Sequence, residues 1–319
     1  MTLPSEPPPR SYVVISPCRN EAAFMRRTLD SVVAQTLRPA LWVIVDDGST
    51  DATPEILADY AARHDWIRVL RNPDRGHRAV GPGVIEAFYA GYATIDPADY
   101  AYLCKLDLDL DLPAGYFKAL IARMEANPRV GTCSGKTWYT GPAGQPVSER
   151  IDDEMSVGAS KFYRTACFQE IGGFVRAVMW DGIDCHKARQ LGWIACSWDA
   201  PELRFEHLRP MGSSDKGVLT GRMRHGAGQY FMGSDPLYVA ASAIYRLAHP
   251  PYLTGGAAML WGYLRAALGG APRLDDPELR RFIRAYQRRA LRVGKRRAVA
   301  EIEAARAPLW QQHRTGSAT

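Results

Sequence analysis

Leu41-Trp42-Val43-Ile44-Val45-Asp46-Asp47-Gly48-Ser49-Thr50-Asp51 is an apolar run that stops in carboxylates and a turn. About sixty residues later, Tyr100-Ala101-Tyr102-Leu103-Cys104-Lys105-Leu106-Asp107-Leu108-Asp109-Leu110-Asp111 has the same layout. Each reads as a buried strand that ends in acids. In an open α/β sheet, ligands bind at the carboxyl ends of the strands. Two acidic strand ends therefore point to a nucleotide at one and a divalent metal at the other.

Outward from these two stretches, strands and helices alternate. Tyr12 to Ile15 is a short strand, and Ala22 to Gln35 has helical spacing through Phe24, Leu29, Val32 and Val33. Thr53 is expected to cap a helix with Pro54 in its first turn. Ile67 to Leu70 reads as strand, Val84 to Ala93 and Ala114 to Ala126 as helix, and Arg129 to Cys133 as strand. Such alternation predicts a mainly parallel sheet with helices on both faces. Beyond Gly135 the pattern loosens towards mixed strands, with a helix around Gly182 to Leu191 and a strand at Trp193 to Ser197.

The 319 residues suffice for one large or two modest domains, and the 46% hydrophobic fraction is that of a globular chain. The six cysteines form no Cys-x-x-Cys pair, which predicts reduced, mostly buried thiols and a cytoplasmic protein. Residues 1–10 are Pro-rich and lack the apolar core of a signal peptide, and no apolar run has the length of a transmembrane helix. Between Arg280 and Arg297 stand nine Lys or Arg and no acid, more than the whole formal charge of +6. The remainder is slightly acidic, so general nucleic-acid binding is excluded as a reading and a local anionic partner fits better.

Alternate residues of a strand point to one face, so Asp107, Asp109 and Asp111 are expected to share a side, where a hard cation would offset their repulsion. A calcium EF-hand does not fit, because counting from Asp107 its sixth and twelfth positions are Leu112 and Lys118. Asp111, just before Leu112-Pro113, is better placed to cap the next helix. For Asp46 and Asp47 the competing reading is turn chemistry alone.

Taken together, Ser16-Pro17-Cys18-Arg19-Asn20-Glu21, Val45 to Asp51 and Asp107-Leu108-Asp109 resemble glycosyltransferase family 2 over roughly residues 10–210. The resemblance implies the GT-A fold, a nucleoside-diphosphate sugar donor, Mg²⁺ or Mn²⁺, and transfer with inversion. It assigns Pro17, Arg19, Glu21, Asp46 and Asp47 to the donor's nucleoside, and Arg75 and Arg78 to donor contacts. Asp107 would lie near the ribose, Asp109 would bind the metal, and His207 would touch metal or diphosphate. The base would be Asp181, with Asp184 the second choice; Trp180 stands where the family carries Glu. The stretch Gly212 to Gly228 reads either as a mobile cover over the phosphates or as a linker.

The expected organisation is a flexible 1–10, a catalytic domain over 11–235 with halves 11–130 and 131–235, a helical extension over 236–310 and a frayed tail over 311–319. Apolar stretches broken by prolines, followed by the basic helix from Pro277, suit a membrane surface with anionic lipids at the inner face of the cytoplasmic membrane. The competing reading of that extension is a helical subdomain packed on the catalytic core with its arginines facing water, which also accommodates a homodimer contact. The acceptor class this favours is a lipid-linked or cell-envelope saccharide. Two rival functions stay open: a catalytically inactive sugar-nucleotide-binding scaffold, and a nucleotidylyltransferase of related fold.

Overall fold

A computed structural model describes residues 8–76, 81–209, 217–249 and 251–315, without the side chains of 313–315. The chain forms two compact units, Met1–Arg176 with Ile194–Pro210, and Ala177–Trp193 with Met211–Thr319. This division differs from the expected boundary at 235. The segment carrying Asp181 groups with the C-terminal helices because they pack against it.

In the first unit the elements are β1 (Tyr12–Cys18), α1 (Met25–Val33), β2 (Leu41–Asp46), α2 (Thr53–Arg63), β3 (Ile67–Arg71) and α3 (Pro82–Tyr92). They continue with β4 (Tyr102–Leu106), β5 (Leu110–Asp111), α4 (Tyr116–Ala126), β6 (Val130–Ser134), β7 (Lys136–Thr140) and β8 (Pro146–Ser148). Then come β9 (Ser160–Arg164) and α5 (Thr165–Glu170) and, after a segment of the second unit, β10 (Ile194–Ser197) and β11 (Arg204–His207).

A seven-stranded sheet runs in the order β10-β6-β9-β4-β1-β2-β3. Only β9 opposes its neighbours, pairing antiparallel with β4 and β6. Cys18 of β1 stands beside Asp46 of β2, and Ile15 of β1 beside Lys105 of β4. The carboxyl ends of these three central strands therefore finish together.

Strand alternation divides the core. Tyr12, Val14, Trp42 and Ile44 join a buried cluster with Leu29 of α1, Leu57 of α2 and Phe117 of α4. On the other face α3 lies so close that a Cβ on Gly91 would come within 2.9 Å of Ile15 and Val45. Helices thus cover both faces, as expected of this sheet.

A smaller sheet has the order β5-β11-β7-β8. In it β11 runs antiparallel to β5, with His207 opposite Leu110 and Glu206 opposite Asp111. The Asp107 to Asp111 stretch is therefore not one strand: β4 stops at Leu106 and β5 starts at Leu110. The three alternate carboxylates do not share one side, and each finds a different partner.

The second unit is helical: α6 (Trp180–Gln190), α7 (Gly217–Met232), α8 (Pro236–Leu247), α9 (Thr254–Leu268), α10 (Pro277–Val293) and α11 (Lys295–Thr315). The stretch read as cover or linker is helix from Gly217 onwards, and its start lies outside the described residues. Its glycines are packing features. A Cβ on Gly226 would stand 1.9 Å from the Met259 carbonyl oxygen, and one on Gly262 2.0 Å from that of Met223, so α7 and α9 touch backbone to backbone. The tail expected to fray from 311 continues as α11 through Thr315. Among the described residues, no helix is long and apolar enough to cross a membrane.

Candidate active site

The loops after β1 and β2 bind each other through reciprocal hydrogen bonds. The Asn20 amide donates to Ser49 Oγ at 2.9 Å, the Thr50 amide to Asn20 Oδ1 at 2.8 Å, and the Ala22 amide to Asp51 Oδ2 at 3.1 Å. The Glu21 amide donates to Thr53 Oγ1 at 2.9 Å, so Thr53 opens α2 with its hydroxyl serving the neighbouring loop rather than its own helix. Asp46 is buried and accepts the Ser49 amide at 2.8 Å, a turn that holds the loop. Gly48 has φ 72°, and a Cβ there would meet Asp74 Cα at 2.4 Å.

Asp47 is the acid this loop presents. Arg75 Nη2 donates to its two carboxylate oxygens at 2.5 and 2.6 Å, and Asn72 Nδ2 reaches Oδ1 at 3.2 Å. Arg19 reaches the Asp47 carbonyl and pairs with Asp74 at 2.6 Å. The structure therefore gathers Arg19, Asp47 and Arg75 from three loops. Pro17 is at the end of β1, opposite Val45. Arg78 lies outside the described residues.

Asp107 pairs with Lys105, whose ammonium also donates to the Gly158 carbonyl at 2.9 Å. Asp111 goes elsewhere, to Arg27 at 2.6 Å, and Arg27 also holds Glu206 at 2.8 Å.

Asp109 is 4% exposed. Its Oδ2 accepts Arg209 Nε at 2.5 Å and lies 3.5 Å from His207 Nε2. Its Oδ1 is buried and accepts no hydrogen bond among the described residues. Burial would raise the carboxyl, but the bond to His207 and the charge of Arg209 outweigh it and hold Asp109 at about 2. For His207 burial would favour the neutral ring, yet its bonds to Asp109 and Glu149 raise it to about 10. Its Nδ1 lies 3.0 Å from Glu149 Oε2. Arg209 spans the two halves of the site, reaching Glu21 Oε1 at 2.8 Å as well as Asp109.

Three carboxylates and two cationic side chains thus converge where β1, β4 and β11 end. Glu149 was not singled out in the sequence. It follows the Gly141-Pro142-Ala143-Gly144 turn in the least regular stretch, and only the fold carries it to His207. Among the described residues, no group of three or more His, Cys, Asp or Glu side chains could by itself hold a metal ion. A divalent ion that takes one or two protein ligands, with phosphate and water completing its shell, does fit the buried Asp109 Oδ1 with His207 beside it.

Asp181 and Asp184 belong to the second unit. Asp181 is in the first turn of α6 and only partly buried. Asp184 is 1% exposed and accepts the Cys185 amide at 2.6 Å. Of the two, Asp181 is the one with accessible surface.

The family model described as Glycosyl transferase family 2 matches residues 13–173, half of the chain. The chain belongs to glycosyltransferase family 2. This family 2 glycosyltransferase is 29% identical over 119 residues to poly-beta-1,6-N-acetyl-D-glucosamine synthase of Staphylococcus epidermidis, a match covering 37% of this chain and 26% of that protein. It is 26% identical over 182 residues to glycosyltransferase GlyA of Streptococcus pneumoniae serotype 4, covering 55% and 24%. The matches thus span about a quarter of the length of these curated relatives. In fold it is similar to GalNAc-T7 solved with UDP, GalNAc and Mn²⁺, with a TM-score of 0.53, 16% identity and coverage of 83% of this chain and 55% of that one. It also resembles S. aureus TarS 1-349 in complex with UDP-GlcNAc, with a TM-score of 0.50, 15% identity and coverage of 96% and 92%.

Proposed function

We propose that this glycosyltransferase moves a sugar from a nucleoside-diphosphate sugar to an acceptor hydroxyl in a single inverting displacement assisted by Mg²⁺ or Mn²⁺. The observation that carries the reading is the convergence of Asp109, His207, Arg209 and Glu21 beside the loop that presents Asp47.

In this reading Asp47 accepts N–H donors of the nucleobase, while Arg19 and Arg75 brace it. Asp107 contacts the ribose. Asp109 and His207 hold the metal, which when bound neutralises charge on the departing diphosphate. Arg209 is already aimed at this cluster and adds a fixed positive charge to the same task. Asp181 takes the proton of the attacking hydroxyl. Its role rests on the family resemblance and on its accessible place in the first turn of α6.

The acceptor we favour is a lipid-linked or cell-envelope saccharide. Support comes from the partial match to poly-beta-1,6-N-acetyl-D-glucosamine synthase. Melting the protein against UDP, GDP, CDP and TDP with and without Mn²⁺ tests the donor site. One nucleotide should raise the melting temperature, and more so with Mn²⁺. A flat response to all four sinks the reading, and binding without sugar turnover would favour a scaffold.

A further inference from the structure

The amphipathic helix expected to meet a membrane does not have its apolar face free. Leu279, Ile283, Tyr286 and Ala290 of α10 are buried within the second unit, where α10 packs on α6, α8 and α11. Among the described residues, most of the exposed large apolar side chains are on α8, α9 and the connection between them instead. Along α9, Ala257, Trp261, Leu264 and Leu268 recur at helical spacing on one side. Trp261 is 55% exposed and Leu268 84%. On α8, Leu237 and Ile244 are 71% and 67% exposed. The two helices pack together, and the connection between them leaves Tyr252 and Leu253 in solvent as well. Scattered exposed apolar side chains need no explanation, but aligned stripes on two packed helices do.

Charge selects the occupant. Residues 217–269 hold Arg222, Arg224, Arg246 and Arg265 against a single acid, Asp235, which Arg288 engages at 2.6 Å. A second copy presenting the same face would bring like charges together. Anionic headgroups complement it, and Trp and Tyr suit the headgroup boundary.

We propose that the α8–α9 pair is a docking surface for an anionic phospholipid bilayer. Leu237, Ile244, Leu264 and Leu268 enter the acyl boundary, and Arg246 and Arg265 face lipid phosphates. The helices lie on the bilayer rather than across it. The surface would bring the enzyme to a lipid-linked acceptor, and in that respect alone the inference rests on the proposed function.

Flotation of the full chain with vesicles tests it without any nucleotide. Phosphatidylcholine vesicles containing roughly a quarter phosphatidylglycerol should bind the protein, pure phosphatidylcholine far less, and added salt should weaken the binding. The double variant Trp261→Glu/Leu264→Glu, and separately Leu268→Glu, should lose binding by roughly tenfold or more while keeping the parent's circular dichroism melt. Arg281→Glu/Arg292→Glu on α10 should retain most of it. The proposal is overturned if the parent does not float, if the α8–α9 variants float like the parent, or if the α10 variant alone fails to float. It is also overturned if the parent is a dimer that Trp261→Glu/Leu264→Glu converts to monomer, which would make this face a contact between copies.

Discussion

His207 stands between two carboxylates, with Nδ1 3.0 Å from Glu149 and Nε2 3.5 Å from Asp109. The pair of acids fixes the ring's orientation and favours its charged form. A divalent ion at Asp109 would take over that positive charge, so metal and proton compete for one place.

The folded value of His207, about 10, is above its ordinary 6.5. A raised base contributes its full stabilisation below pH 6.5 and loses it as pH rises through about 10. His207→Gln should therefore cost about 2 kcal/mol at pH 6 and much less near pH 10. Urea melts of both proteins in chelator across that range check it; a constant difference would contradict the charged ring.

Asp109→Asn should lower sugar transfer by about 10²-fold or more. It should also abolish the extra thermal stabilisation that Mn²⁺ gives a bound nucleoside diphosphate. The two readouts separate loss of metal binding from a general loss of fold, which would lower the melting temperature in the absence of ligand as well.

Asp47→Asn should weaken nucleotide binding about tenfold to a hundredfold, the worth of a hydrogen bond to a charged group. Titration calorimetry with the stabilising nucleotide measures this directly. Arg75→Ala should have the smaller effect, because Asn72 still reaches Asp47 at 3.2 Å.

Asp181→Asn should reduce transfer by about 10²-fold to 10⁴-fold, the range of general-base contributions, with donor affinity within about twofold of the parent. Single-turnover assays beside calorimetry distinguish the outcomes. Loss of donor binding would remove Asp181 from the role of base.

Gly91→Val should destabilise the first unit by about 1 to 3 kcal/mol, since even a Cβ would press on Ile15 and Val45 at 2.9 Å. Thermal unfolding checks it.

Local chemistry determined much of this protein in its sequence. The apolar runs before Asp46 and Asp107 marked two central strands, because a strand buried on both faces is mostly apolar between its ends; Lys105 of β4 is buried with its ammonium held by Asp107 and the Gly158 carbonyl. The motifs at those ends carried the family, and they named Asp47 and Asp109 as the acids of interest. The tertiary structure decided what those acids meet. Glu149 reaches His207 across 58 positions, and Arg209 reaches Asp109 across 100, separations at which spacing in the chain carries no signal. It also decided that Asp46 builds its turn and that Asp111 serves Arg27. In the second unit, Gly226 stands in a stretch that reads locally as cover or linker, yet its close approach to the Met259 carbonyl makes it part of a helix contact. Likewise, the apolar stretches and the basic helix α10 both suited a membrane surface, and only the burial of α10 against neighbouring helices left the exposed apolar stripes to α8 and α9. Periodicity shows that a helix has an apolar side, but what covers that side depends on residues distant in the chain.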